Sequence, residues 1–263
     1  MNINLKNKIA IITGGTHGIG LSTSIVLGNH GCKVAVCSRS EKRVKEASEI
    51  FESKNIDYFA DTADVLNKDS IFSFFEKVIN KFKTVDILVN NVGGGGTWGK
   101  ESILETDLKV WDEVYSKNTG AAIIFSKLSL PYMKKNKWGR VITISSISSN
   151  KSVGRPWYIM AKKSEITFTR ALSVMKEFVR NGITINTVSP GAIMIPDTGW
   201  EAQQKEDPKK FEEIVNKKFP MGRLGKPEDI ANAVAFLCSE GANYINGTDI
   251  CVDGAQSNEE YKS

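Results

Sequence analysis

The feature that most constrains this chain is a rhythm. Short apolar runs, bounded by glycine or polar residues, alternate with segments of helical period from end to end. KIAIIT is followed by a helical pattern at 18–30, KVAVCS by one at 41–54, IDYFAD by one at 67–83, and VDILVN by a long helix within 106–136. GRVITIS, a helix holding RPWYIMAKK, GITINTVS, a helix at 227–239 and TDICVD complete the series. Strands this continuously apolar are buried on both faces, and strands separated by helices pair in parallel. The expected class is α/β, a doubly wound parallel sheet with helices on both faces. No Pro- or Ser-rich linker and no internal repeat breaks the pattern, which predicts one domain over 1–263. Residues 192–222 depart from the rhythm: they are charged and carry Pro196, Pro208 and Pro220. Phe211, Ile214, Val215 and Phe219 fall there at helical spacing, which predicts a short amphipathic helix lying over something as a lid.

Composition narrows the function classes. The 263 residues are 41% hydrophobic and 25% charged, with a net charge of +5 and no run of five like charges. That argues against a nucleic-acid or membrane-surface partner and suits anionic small molecules. The first apolar run is too short for a signal or membrane segment, and a cytoplasmic protein is expected. Cys32, Cys37, Cys238 and Cys251 form no CxxC pair and have no histidine at metal-ligand spacing. They are expected to be reduced and mostly buried, with no metal site.

Directly after the first apolar run comes TGGTHGIG, with Gly14, Gly18 and Gly20 leading into a helix. Glycines here permit a tight turn and bring the backbone close to a pyrophosphate, whose charge sits at the positive helix N-terminus. The position after strand one and before helix one is the context that this chemistry requires. Strand two ends in VCSRS, so Ser38 and Arg39 stand where NAD-preferring sites place a carboxylate. A hydroxyl beside a guanidinium suits a 2′-phosphate, and NADP(H) is therefore favoured over NAD(H). In RPWYIMAKK, Tyr158 and Lys162 are four apart and share a helix face, while Lys163 points elsewhere.

These segments together resemble the short-chain dehydrogenase/reductase family. TGGTHGIG, NNVG at 90–93 where the family has NNAG, Asn118, ISS at 144–146, Tyr158 with Lys162 as YxxxK, SPG at 189–191, RLGKPEDIA at 223–231 and VDG at 252–254 stand in the family's order across almost the whole chain. The resemblance implies a Rossmann sheet of about seven strands, a nicotinamide cofactor, a small carbonyl or alcohol substrate, and a homotetramer or dimer. It implies cofactor contacts from Gly14, Thr16, Gly18, Ile19 and Gly20, from Asp64 and Val65 beside the adenine, and from Asn90, Asn91 and Gly93 after strand four. Pro190, Gly191 and Ile193 after strand six join them. Tyr158 is then the acid/base that gives or takes the proton at the carbonyl oxygen as hydride moves at the carbon. Lys162 favours its phenolate and binds the nicotinamide ribose, and Asn118 joins the lysine to solvent through a water relay.

The family's catalytic serine falls on Ser146 when ISS is aligned with the strand end, and on Ser145 when residues are counted back from the tyrosine. Neighbours on a strand face opposite ways, so the two cannot do the same job. Ser146, with one residue deleted in the loop, is the preferred assignment because loops absorb length changes. Val92 stands where the family prefers alanine. Trp98, Trp157 and Trp200 come from three segments expected to meet at one mouth, which predicts an aromatic-walled pocket for sugar faces or apolar groups. Substrates of 3-oxoacyl or sugar and polyol type fit this reading. The alternative from another class is a noncatalytic dinucleotide-binding sensor or scaffold on the same fold.

Overall fold

The computed structural model describes residues 3–150 and 154–261. Seven strands form one sheet in the order β3-β2-β1-β4-β5-β6-β7, and every neighbouring pair is parallel. They are β1 (Ile9–Thr13), β2 (Lys33–Ser38), β3 (Tyr58–Thr62), β4 (Ile87–Asn90), β5 (Gly139–Ile144), β6 (Ile183–Pro190) and β7 (Asp249–Val252). All five residues of β1 and all eight of β6 are buried, whereas the edge strands β3 and β7 are only partly so. The continuous apolar runs therefore mark the middle of the sheet, where both faces are covered.

Three helices connect the first four strands: α1 (Gly18–Asn29), α2 (Glu41–Ser53) and α3 (Lys68–Phe82). One core packs Ile12, Val36, Val89 and Ile142 against Leu27 of α1; the other packs Ile11, Leu88 and Val141 against Phe74 of α3. β4 pairs with β1 on the side opposite β2, so the strand order reverses between β1 and β4. A doubly wound sheet opens a crevice at the C-terminal ends of its strands at that point.

The long helix expected within 106–136 is interrupted. It consists of α4 (Leu108–Tyr115), a π-helical turn over Ser116–Gly120 and α5 (Ala121–Asn136). After β5 a short 3-10 turn, Ile147–Ser149, precedes α6 (Pro156–Ser173), and α7 (Lys176–Val179) leads into β6. Within 192–222 the chain forms two helices rather than one, α8 (Gly199–Glu206) and α9 (Pro208–Lys218). Pro208 explains the break: it opens α9, with Asp207 accepting from the Lys210 N–H as cap. Phe211, Val215, Phe219 and Leu224 make a small separate core there with Trp200 and Met194. α10 (Pro227–Cys238) returns to the sheet beside α1.

All four cysteines are free, three buried and Cys251 exposed. Burial pushes the thiols of Cys37 and Cys238 up to about 12, which leaves them unreactive. Among the described residues no helix is long and apolar enough to cross a membrane, and no three metal-binding side chains cluster.

Candidate active site

The turn after β1 is built on glycine. Gly14 and Gly18 take φ of 63° and 52°, values that L side chains rarely adopt. A Cβ on Gly20 would stand 2.2 Å from the Gly14 carbonyl oxygen, so the start of α1 lies directly against the loop. The loop is stapled to the end of β4: the Thr13 hydroxyl accepts the N–H groups of Asn91 and Val92, each at 3.0 Å, and Asn91 Nδ2 donates to the Thr13 carbonyl at 2.9 Å. Ser40 and Asn67 cap α2 and α3, but α1 has no side-chain cap. Its first N–H groups, around Gly18, Ile19 and Gly20, border a cleft of about 400 Å³. Uncapped helix N–H groups on a cleft form an anion site.

Across the cleft stand Ser146, Tyr158 and Lys162, with Pro190, Gly191 and Ile193 from the end of β6. Pro156 opens α6, which starts the helix on the residue that needs no N–H partner. Tyr158 faces the cleft, and the glycine-rich loop after β4 runs over its ring, a Cβ on Gly96 falling 3.4 Å from it. Lys162, one turn further along, is 3% exposed. Its Nζ donates to the Ile144 carbonyl at 2.9 Å and to the Glu165 carboxyl oxygens at 3.1 and 3.3 Å. Glu165 is 1% exposed. Burial pushes its carboxyl up to about 7, against the pull of the Lys162 ammonium and the Ser145 hydroxyl.

Asn118 sits in the π-helical turn, fully buried. Its Oδ1 accepts the Gly94 N–H at 3.1 Å, and its Nδ2 donates to the carbonyls of Gly94 at 2.9 Å and Val114 at 2.7 Å. The asparagine thus clamps the loop after β4. The wider turn delivers it there, a common use of π-bulges at functional sites. Gly93 lets the backbone pack close beside it: a Cβ there would lie 2.6 Å from Asn118 Oδ1 and 2.8 Å from Lys162 Nζ.

The two serines have different surroundings. Ser145 donates its hydroxyl proton to the Lys162 carbonyl at 2.9 Å. Ser146 Oγ accepts from the Ser148 N–H at 3.1 Å, and no acceptor among the described residues takes its proton. A hydroxyl has one proton to give, so Ser146 is the serine with a donor free for the cleft.

On the other side of the switch point, Ser38 closes β2 with its Oγ accepting the Ser40 N–H at 3.3 Å, and Arg39 is exposed with no hydrogen bond or ion pair to a described residue. Asp64 accepts the Leu66 N–H at 3.0 Å, Val65 is buried after β3, and Thr16 is buried in the glycine loop. Asn90 does not reach the cleft: its side chain is buried, with Nδ2 toward Ser126 and Thr143, and Asn91 borders the cleft instead. Three side chains at the site were missed by sequence reasoning. Besides Glu165, whose spacing from Lys162 was legible, they are Lys117 and His17. Burial lowers the Lys117 amine, as does the charge of Arg39. His17 Nε2 donates to the Pro196 carbonyl at 2.9 Å, tying the glycine loop to the 192–222 segment.

The three tryptophans do not form one wall. Trp157 is fully buried and packs edge-on against Trp111 of α4, with ring centres 5.4 Å apart. Successive residues on a helix point about 100° apart, so when Tyr158 faces the cleft, Trp157 turns toward α4. Trp98 packs in that same cluster, with Lys117 Nζ 4.5 Å above its ring. Trp200 alone lines the cleft, held edge-on by Phe211 and Phe219.

A doubly wound parallel sheet with an uncapped glycine loop at its switch point and a tyrosine and lysine one helical turn apart defines a nicotinamide-type oxidoreductase. The chain belongs to the short-chain dehydrogenase/reductase family and is an oxidoreductase. A family model described as enoyl-(acyl carrier protein) reductase matches residues 14–255. The chain is 35% identical over 257 residues to the 3-oxoacyl-acyl-carrier-protein reductase FabG of Aquifex aeolicus, covering 97% of this chain and 99% of that one. Among solved structures it is similar to L-sorbose reductase of Gluconobacter frateurii complexed with NADPH and L-sorbose, at 27% identity and a TM-score of 0.87, covering 97% and 98% of the two chains. It is also similar to a 7α-hydroxysteroid dehydrogenase complexed with NADH and a 7-oxo bile acid conjugate, at 28% identity and a TM-score of 0.85, covering 96% and 95%.

Proposed function

We propose that this oxidoreductase interconverts a small carbonyl compound and its secondary alcohol with NADP(H), using Tyr158 as acid/base. The observation that carries the reading is the convergence of Tyr158, Lys162 and the free hydroxyl donor of Ser146 on the cleft that the open end of α1 borders. The fit to a dinucleotide is physical. Uncapped N–H groups at Gly18, Ile19 and Gly20 suit the pyrophosphate, and Lys162 borders the same cleft. Asp64 and Val65 would border the adenine, and Lys162 would hold the nicotinamide ribose. Bound there, the nicotinamide supplies or accepts hydride.

The chain's own residues handle the oxygen and its proton. Tyr158 gives its phenolic proton to the substrate oxygen as the carbon is reduced and takes it back in the reverse direction. Ser146 donates a hydrogen bond to the same oxygen and holds it in line. Asn118 keeps the loop after β4 over Tyr158. NADP(H) is favoured because Ser38 and the unpaired Arg39 stand at the end of β2 with no carboxylate; since solved relatives hold NADPH in one case and NADH in the other, these residues carry the preference.

The 192–222 segment serves as the substrate lid, with Trp200 as its apolar face toward the cleft. Both 3-oxoacyl and sugar or polyol substrates suit that face. Homotetrameric or dimeric assembly in the cytoplasm belongs to the same proposal. A panel of 3-oxoacyl thioesters and keto-sugars, with NADPH and NADH followed by nicotinamide absorbance, tests the reading. Turnover with NADPH that is lost in Tyr158→Phe, while NADPH still binds, is the expected result. Tight NADPH binding with no turnover on any carbonyl would favour the sensor instead.

A further inference from the structure

Lys162 is already held within the protein. The Ile144 carbonyl and both oxygens of the Glu165 carboxyl lie within 3.3 Å of its Nζ. The unexpected partner is Glu165, almost wholly enclosed one turn further along α6. Glutamates are almost never fully buried unless paired, and an apolar side chain would fill the same space without the cost of desolvating a charge.

We propose that Glu165 is a positioning residue for Lys162: its carboxylate holds the ammonium at the foot of the cleft, and protonation of that carboxylate loosens the hold. The proposal rests on the reading that Tyr158 and Lys162 carry the reaction. An ionised carboxylate presents two acceptor oxygens to the ammonium. A neutral carboxyl keeps one acceptor and adds an O–H, which an ammonium cannot accept.

The charged surroundings of Glu165 are sparse. Lys162 is the partner on its own helix, and the Lys162 charge in turn lowers the amine of Lys117 in the π-helical turn. The end of β5 contributes the Ser145 hydroxyl. β6 and the 3-10 turn contain no titratable residue. Arg140 of β5 is turned to Asn243 and Glu240. Asp112 of α4 and Lys176 and Glu177 of α7 are exposed, and Lys109 and Glu113 of α4 pair with each other. The state of this one carboxyl therefore decides how Lys162 is held. Because burial brings it to about 7, the change falls near neutrality, and turnover should rise as pH climbs through it.

The test is kcat against pH for the full chain and for Glu165→Gln, Glu165→Leu and Lys162→Met, with circular dichroism melting to confirm folding. Glu165→Gln keeps the volume and one acceptor, so it should stay at the wild-type acid-side level at every pH. Its turnover above neutrality should be lower by roughly ten- to a hundredfold, the range of a charged hydrogen bond, with substrate KM little changed. Glu165→Leu should be at least as slow and equally free of the step. Variants that melt earlier but keep wild-type kcat and its pH profile would assign Glu165 a purely structural role and overturn the proposal. So would a wild-type profile with no step near neutrality. Lys162→Met separates the two readings: if it retains full turnover, the proposed function itself fails, whereas its loss beside an unaffected Glu165→Gln removes only this inference.

Discussion

Replacement of Trp157 discriminates between a tryptophan that serves substrate and one that serves the fold. The side chain is fully buried between α6 and α4. A buried aromatic of this size removes roughly 150–250 Å² from water, which at about 25 cal/mol per Å² is on the order of 4–6 kcal/mol. One term opposes it: the indole N–H has no hydrogen-bond partner among the described residues, and an unsatisfied buried donor costs about 1–3 kcal/mol. Trp157→Ala is therefore expected to lose about 3 kcal/mol, the low end for deletion of a large aromatic. Trp157→Phe keeps a ring against Trp111 and deletes the unpaired donor, so it is expected within about 1 kcal/mol of wild type. Urea unfolding followed by tryptophan fluorescence and circular dichroism measures both. For a chain of this size the alanine variant should also melt roughly 6–12 °C lower. Substrate KM for Trp157→Phe should match wild type. An alanine variant as stable as wild type but with a sharply raised KM would refute the packing account and return Trp157 to the substrate pocket.

Four further outcomes follow from the geometry. Gly93→Ala places a Cβ 2.6 Å from Asn118 Oδ1 and 2.8 Å from Lys162 Nζ; it is expected to weaken NADPH binding by roughly tenfold or more, a cost of about 1–3 kcal/mol for overpacking, as read by fluorescence titration. Arg39→Ala should lower the NADPH-over-NADH ratio of kcat/KM by roughly ten- to a hundredfold, the range of a charged hydrogen bond, and Ser38→Asp should push the preference toward NADH. Ser146→Ala should cut kcat by about a hundredfold or more, as for a lost oxyanion donor, while Ser145→Ala, whose proton is committed to the Lys162 carbonyl, should leave turnover largely in place. The Glu165 carboxyl rises from 4.5 to about 7 on folding. Its contribution to stability is therefore full below 4.5 and is lost as pH rises through about 7, by up to about 3 kcal/mol. Chemical denaturation across that range should show Glu165→Gln gaining on wild type as pH increases.

The sheet was legible because its information is local and repeated. Apolar continuity marked every strand to within a residue or two, and glycine placement located the tight turn after β1, since a positive φ at Gly14 and Gly18 is a demand that one residue type meets. Helical spacing paired Tyr158 with Lys162 without any tertiary input. What the sequence could not decide were directions and neighbours. The preference for Ser146 over Ser145 rested on loop length alone; in the fold their hydroxyls differ, one proton on a carbonyl and one free. The three tryptophans looked alike as amphipathic aromatics, but only Trp200 reaches the cleft, because a turn of about 100° between neighbours on α6 sends Trp157 inward. Glu165 drew no reading from the sequence; the fold encloses it beside the lysine, where desolvation and the Lys162 ammonium set its behaviour. Sequence alone thus determined the architecture and the spacing of Tyr158 and Lys162 on one helix face, which depend on periodicity and backbone conformation. Tertiary structure decided which polar groups are desolvated and what they face, because burial belongs to the packed molecule and not to any segment of it.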